Sequence, residues 1–345
     1  MVTIYDIAKK TGYSVTTVSK ALNNYADVSQ KAKKAILEAV EEMGYLPNSH
    51  ARTLTTKKSW TIGVIFIESL GIGMKHPFFN AVIESFRKNV EVLGYDLLFA
   101  SRMINNQQKS YLEQFKYRGV DGVVVVCSRF NDEQVKELMD SSIPTVVIDL
   151  HSKESAVVNS DNFAGSYKAV EYLYSLGHRS IAHIAGHATT FAGQERRNGF
   201  LTSTKTMGLD VPDDYIVNGD YFSREGGYNA MKKLLSLQNP PTAVFAAADN
   251  LAIGAIDAIR EAGYQVPDDF SIIGFDDIEL AQFINPPLTT VRQDTTLIGK
   301  ESADLLIKQI NSQQKIAESV VVPIELVVRE SCKPLVQEES SNSIS

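Results

Sequence analysis

Apolar residues in positions 1–45 recur at i, i+3 and i+4, the spacing of one helix face. Ile4, Ile7 and Ala8 predict a first helix, with Thr3 placed to cap it. Gly12 supplies a tight turn, and Ser14 can cap a second helix whose inward stripe is Val18, Ala21 and Leu22. A third starts near Ser29, keeps the rhythm through Ala32, Ala35, Ile36, Ala39, Val40 and Met43, and stops at Gly44. Val18, Leu22, Ile36 and Val40 then close one small core. After Thr61 the pattern changes. Thr61–Ile67, Tyr95–Ala100, Gly122–Val126 and Thr145–Asp149 are short β-rich runs, separated by helical patterns at Phe78–Leu93, Gln107–Arg118 and Asp132–Met139. The alternation resumes after Val157–Ser160, with strands at Ser180–Ala185, Thr242–Ala246 and Ser271–Phe275 and helices at Gln194–Lys205, Glu225–Ser236 and Leu251–Ala262. Alternation of this kind predicts parallel sheets with helices on both faces. The fold class is therefore α + α/β, a helical head followed by two doubly wound α/β lobes.

The polar positions of the head are as informative as the apolar ones. A helix turns about 100° per residue, so Thr16 and Lys20 lie opposite Val18, flanked by Ser19 and Asn23. That outward face is small, polar and basic, with no acid on it. It suits a DNA major groove, and two helices about a tight turn make a helix-turn-helix. An ordinary helical hairpin with a solvated face is the alternative. Pro47 fits the first turn of a fourth helix of about eight residues, too short to persist alone in water. Residues 55–60 are a polar linker.

At 345 residues the chain has room for two or three domains, and 44% hydrophobic and 22% charged content is ordinary for a globular protein. Charge changes the picture more. Residues 1–58 carry nine Lys or Arg against five Asp or Glu, a net of +4, so −11 falls on the remainder of a chain whose total is −7. A small basic head on an acidic body reads as a DNA-binding module attached to something else. Cys127 and Cys332 suggest neither a disulfide framework nor a zinc site. The start of the chain is helix-patterned and polar rather than a signal peptide. No apolar run approaches the ~20 residues that span a bilayer, so the expectation is a cytoplasmic protein without membrane contact.

Thr3-Ile4-Tyr5-Asp6-Ile7-Ala8, Ser14-Val15-Thr16-Thr17-Val18-Ser19-Lys20-Ala21-Leu22-Asn23 and Tyr45-Leu46-Pro47-Asn48 with Ala51-Arg52-Thr53-Leu54 resemble the N-terminus of the lactose/galactose repressor family of bacterial transcription regulators. The similarity runs through nearly the whole chain and fails only in the last dozen residues. It implies a helix-turn-helix headpiece at 1–46, a hinge helix and linker at 47–58, and an effector-binding and dimerisation domain of periplasmic-binding-protein type at 59–332. Within that domain the first lobe would hold about 59–160 plus 292–322 and the second about 161–291 plus 323–332, leaving a polar tail at 333–345. The tail lacks a leucine heptad, so a homodimer is expected rather than a tetramer.

The resemblance also assigns roles. Val15, Thr16 and Lys20 match the base-reading positions. Thr16 can meet a base edge and Lys20 can donate to guanine O6 and N7, whereas Val15 offers an apolar contact with thymine or partial core packing. Tyr5, Ser14, Thr17, Ser19, Asn23, Ser29 and Asn48 match positions that hold phosphates. Ala51 and Leu54 match the hinge helix that enters the minor groove, with Leu54 as the wedge. In the cleft, Arg196 matches an arginine that forks onto ligand hydroxyls or carboxylates, Asp276 an acceptor for sugar hydroxyls, and Phe222 a stacking aromatic. Asp277 reads as a loop or helix cap. Asp149 and Asp161 could bind ligand or cap the helix that follows. The loop Glu68–Phe78, with Met74 and His76, should face the cleft, and its Gly-x-Gly is not a dinucleotide signature. Ala248 departs from the polar residue of the lactose repressor.

Catalysis is not expected. The chain has no Gly-x-Ser-x-Gly, P-loop or His-Glu-x-x-His, and its adjacent aspartates suit turns or caps. His178, His183 and His187 form no obvious metal triad, and no cofactor is expected. The reading is a transcription regulator, most often a repressor in this family, that binds a pseudo-palindromic double-stranded operator. Its effector would be a small molecule in the interlobe cleft, a sugar or sugar phosphate ahead of a purine, with a partner protein as corepressor the further possibility. A sugar-binding transport protein is the competing class, but it would need export and would have no use for residues 1–58.

Overall fold

The structure, a computed structural model, describes residues 2–23, 25–45, 58–67, 73–101, 103–104, 106–127, 132–150, 152 and 155–335. The expected hinge helix with Asn48, Ala51 and Leu54, the start of the loop at 68–72 and most of the polar tail lie outside the described residues.

The head consists of helices Ile4–Thr11, Val15–Leu22 and Gln30–Met43. Their inward stripes meet in a core of Ile7, Ala8, Val18, Ala21, Ile36 and Ala39, with Leu22 and Val40 partly buried against it. The caps are those the sequence sets out. The Asp6 carboxylate receives the Thr3 N–H at 2.8 Å and its hydroxyl at 2.7 Å, while Ser14 accepts the Thr17 N–H at 3.1 Å and Ser29 the Ala32 N–H at 3.3 Å. Gly12, at φ 73°, ends the first helix in the left-handed region that glycine enters without a side-chain clash.

The body holds two six-stranded sheets. The first has the order β13-β7-β6-β5-β1-β2, where β1 is Thr61–Phe66, β2 Asp96–Phe99, β5 Gly122–Cys127, β6 Thr145–Ile148, β7 Ala156–Ser160 and β13 Ser319–Val322. The second has the order β14-β12-β11-β10-β8-β9, where β8 is Ile181–Ala185, β9 Ile216–Asn218, β10 Ala243–Ala246, β11 Ser271–Asp276, β12 Thr289–Gln293 and β14 Ile324–Val327. Neighbours β1/β5, β5/β6, β6/β7 and β7/β13 run parallel, as do β8, β10, β11 and β12; β14 is antiparallel to β12. The chain passes between lobes three times, at Asp161, at Asp294 and at Pro323. The first two crossings coincide with helix caps. The Asp161 carboxylate accepts the Ala164 N–H at 3.0 Å and Asp294 the Leu297 N–H at 2.9 Å. After the second crossing, helix Thr295–Ser312 packs on helix Pro77–Glu91 of the first lobe, where the Ser85 hydroxyl donates to the Thr296 carbonyl at 2.8 Å.

One expectation changes, and two elements are added. The helix expected from Gln107 starts at Tyr111, because β4, Gln107–Gln108, pairs with β3, Met103–Ile104, in a two-stranded antiparallel ladder. Helix Asn162–Ser175 and strand β12 were not legible in the sequence pattern. His178 and His183 are structural. His183 is stacked between Phe200 and Phe245, with centroids at 4.8 and 4.9 Å, and burial pushes its pKa down to about 4, so it is neutral at pH 7. No cluster able to hold a metal ion occurs among the described residues, nor any helix long and apolar enough to cross a membrane.

Candidate functional site

Two surfaces carry the chemistry. On the head, helix Val15–Leu22 exposes Thr16, and Tyr5 on the first helix is 70% exposed. Val15 is half-buried and packs against the headpiece core, so of its two readings the structure displays the packing one. Several polar side chains organise helix ends. The Ser14 and Thr17 hydroxyls bond each other at 2.9 Å, and the Asn23 amide donates to the Ser19 carbonyl at 2.9 Å. The expected absence of acid from this face needs correcting. Asp27, in the loop after helix Val15–Leu22, forms an ion pair with Lys20, because the loop folds back over the end of that helix.

In the body, the site forms where the second sheet's parallel strands end, the usual place for ligands in open α/β sheets. Arg196 projects from helix Phe191–Thr206 and is only 4% exposed. Its Nε donates to Asn162 Oδ1 at 2.8 Å, and one terminal nitrogen donates to the Ala247 carbonyl at 2.6 Å and lies 3.3 Å from Asp276 Oδ1. The guanidinium stacks on the Phe275 ring at 3.7 Å and stands 5.8 Å from that of Phe222. Phe222 itself has φ 65°, and its ring fills the space that a side chain on Gly186 would occupy. The Gln293 amide donates to Asp276 Oδ1 at 2.6 Å.

Carboxylates outnumber cations here. Burial raises Asp276 to about 6, against the opposing pull of the Arg196 guanidinium and the Gln293 amide. Burial also raises Asp149, whose Oδ1 accepts from the Asn162 amide at 3.4 Å. Asp249 is fully buried; burial, then repulsion from Asp276, holds it well above the usual carboxylate range. It accepts the Ile278 N–H at 2.8 Å and the Thr290 hydroxyl. A cavity of about 840 Å³ between the lobes reaches Asp276 and Gln293 from one side, with Phe78 and Thr295 on the opposite wall.

The structure thus brings together Arg196, Asp276, Phe222 and Asp149. It separates others. Asp161 is spent on its cap. Met74 lines a groove on the first lobe with Ile83, Arg87 and Phe99, and His76 is buried at the start of helix Pro77–Glu91 with its ring 4.6 Å from that of Phe79. Both have their described neighbours on the first lobe, whereas Arg196 belongs to the second. Asp277 is no cap; Arg292 and Arg329 both pair with it, at 2.7 and 2.6 Å. Sequence reading missed Asn162, Gln293, Asp249 and Phe275. A signal existed for the first two, since each adjoins a capping aspartate where a strand hands over to a helix. Ala248 is buried beside Asp249 and offers no polar group.

A helix-turn-helix head joined to a two-lobed body with a polar cleft defines a DNA-binding transcription regulator. Residues 3–48 match the family profile of bacterial regulatory proteins of the lacI family, and residues 170–332 match that of the periplasmic binding protein-like domain. The chain belongs to the LacI family. It is 35% identical over 337 residues to an HTH-type transcriptional repressor PurR of Pasteurella multocida (strain Pm70), covering 96% of this chain and 99% of the relative. It is 37% identical over 344 residues to a probable HTH-type transcriptional repressor ExuR of Bacillus subtilis (strain 168), covering 97% and 99%. Among solved structures it resembles the Lac repressor dimer bound to operator and the anti-inducer ONPF, with TM-score 0.81, 26% identity and coverage of 96% and 99%. These relatives are transcriptional repressors rather than enzymes, and this protein is a LacI-type transcription regulator.

Proposed function

We propose that the protein is a repressor that binds a pseudo-palindromic operator as a homodimer and is controlled by a small hydroxyl-rich ligand held at Arg196 and Asp276. The observation that carries this reading is the buried Arg196, fixed by Asn162 and Ala247 and facing Asp276. A guanidinium held this way is pre-organised to donate to a ligand, while Asp276 and Asp149 accept from sugar hydroxyls and Phe222 covers a ring face. Asp276 and Asp149 both act on the one guanidinium, which leaves no surplus positive charge at Arg196. That balance favours a sugar over a sugar phosphate, and a purine is the third choice. The solved Lac repressor dimer bound to operator and the anti-inducer ONPF supports the same division of labour.

On the DNA side, helix Val15–Leu22 enters the major groove with Thr16 and Lys20 on base edges, and Tyr5, Ser14, Thr17, Ser19, Asn23 and Ser29 hold phosphates. Asn48, Ala51 and Leu54 take their roles from the family resemblance alone. Ligand binding changes the lobe arrangement and so the spacing of the two heads. Thermal-shift screening of neutral sugars, sugar phosphates and purines, followed by operator binding with each hit, tests the reading. A neutral sugar is expected to raise the melting temperature and alter operator affinity. The cleft assignment fails if hits stabilise an Arg196→Ala variant as well as they stabilise the wild type.

A further inference from the structure

The loop Tyr25–Val28 carries an acid for which the base-reading scheme has no role. Its backbone is tied down on both sides of Asp27. The Tyr25 N–H donates to the Lys20 carbonyl at 3.0 Å, Val28 packs into the headpiece core, and Ser29 caps the next helix. The Asp27 carboxylate is thereby delivered to the Lys20 ammonium, with the two side chains still 55% and 42% exposed. An ion pair this open to water contributes little to stability. Lys10 and Lys34 also have acidic partners, Glu42 and Glu38, but those pairs lie off the recognition helix. The Lys20–Asp27 pair instead sits where a base edge would be read.

We propose that Asp27 is a second base-reading residue, which with Lys20 forms a donor–acceptor couple for one G·C pair in each operator half-site. Lys20 donates to guanine O6 and N7, and Asp27 accepts from the N4 amino group of the paired cytosine. The inference rests on the reading of Val15–Leu22 as the recognition helix. In the major groove a G·C pair presents two acceptors followed by an amino donor. In the same orientation C·G reverses that order. A·T puts its amino group on the lysine side and a thymine O4 against the carboxylate. T·A keeps the order but offers Lys20 a single acceptor. A carboxylate that finds no amino partner is buried against acceptors and phosphates, so the couple also works against wrong sequences. On non-specific duplex Lys20 stays paired with Asp27, and the head presents one cation fewer to the backbone.

Full-length wild type, Asp27→Ala and Asp27→Val, neither of which has a side-chain acceptor, are each incubated at fixed salt with duplexes randomised across the half-site, and bound sequences are read out. Asp27 is exposed, so both variants are expected to fold, and thermal unfolding verifies it. The expected result is that the G·C preference falls about tenfold at one symmetric pair of positions in both variants, preferences elsewhere persist, and affinity for non-specific duplex rises. Unchanged preferences at every position, or a gain in affinity uniform over all sequences, overturn the base-reading role of Asp27. A wild type that selects no sequence overturns the recognition-helix reading itself, a different and separately visible failure.

Discussion

Arg196 shows how much a single buried charge depends on its surroundings. Nε on Asn162 and a terminal nitrogen on Ala247 fix the plane of the guanidinium, and the Phe275 face supports it from below. A lysine keeps the charge but supplies neither the fork nor the stacking plane. Arg196→Lys is therefore expected to weaken effector binding about a hundredfold, on the order of 3 kcal/mol, while leaving ligand-free operator affinity unchanged; titration calorimetry and gel shifts check the two halves. Asp276 yields a pH prediction. Its pKa in the fold, about 6, lies above the value of 3.8 expected for an exposed aspartate, so its protonated form is the one folding favours. Its contribution to stability is full below pH 3.8 and is lost as pH rises through 6. Ligand hydroxyls that donate to the carboxylate pull the other way. Effector binding is expected to release a proton near pH 6 and none near pH 8, measured by calorimetry in two buffers of different ionisation enthalpy.

At the scale of elements, the second lobe depends on helices that touch backbone to backbone. Helices Arg224–Leu235 and Asp249–Glu261 meet at Gly227 and Gly254. A Cβ on Gly254 would lie 1.9 Å from the Arg224 carbonyl oxygen, and one on Gly227 would lie 2.1 Å from that of Leu251. Neither obstacle is a side chain that can swing away. Gly254→Ala is expected to cost about 1–3 kcal/mol or more, read as a lower urea midpoint, because the pair must separate to admit one methyl group. That pair also carries Asp249, so the same variant should disturb the carboxylate cluster next to Asp276.

For the whole molecule, a basic head and an acidic two-lobed body divide recognition from control. Two of the three lobe crossings adjoin residues of the site. Asp161 adjoins Asn162, and Asp294 adjoins Gln293. A ligand that draws Asn162 and Gln293 together acts directly on two of the segments that join the lobes. The family resemblance makes residues 47–58 the segment through which control would reach DNA. Leu54→Ala is expected to preserve the fold and lower specific operator affinity more than non-specific affinity, since a wedge matters only where the duplex is kinked. Filter binding on operator and random duplex at one salt concentration measures both, and equal losses on the two would exclude the wedge.

Local patterns were enough for most of the architecture. The stripe of Ile7, Val18 and Ile36, the caps at Ser14 and Ser29, and the β-α alternation of the body each depend on residues within a few positions of one another. Arg196, Asp276 and Phe222 came from the family resemblance rather than from any local pattern, and the structure sets them beside one another. What the tertiary structure alone decided was partnership across distance. Asp27 reaches Lys20 because a loop folds back, Asn162 holds Arg196 across 34 positions, and Asp277 goes to Arg292 and Arg329. Asp149 enters the site while Asp161 becomes a cap, although both follow strands at the same edge. Periodicity specifies which face of an element is buried. It does not specify which polar groups meet in the interior, because that depends on how whole elements pack, and an unpaired buried charge is too costly for the packing to leave open.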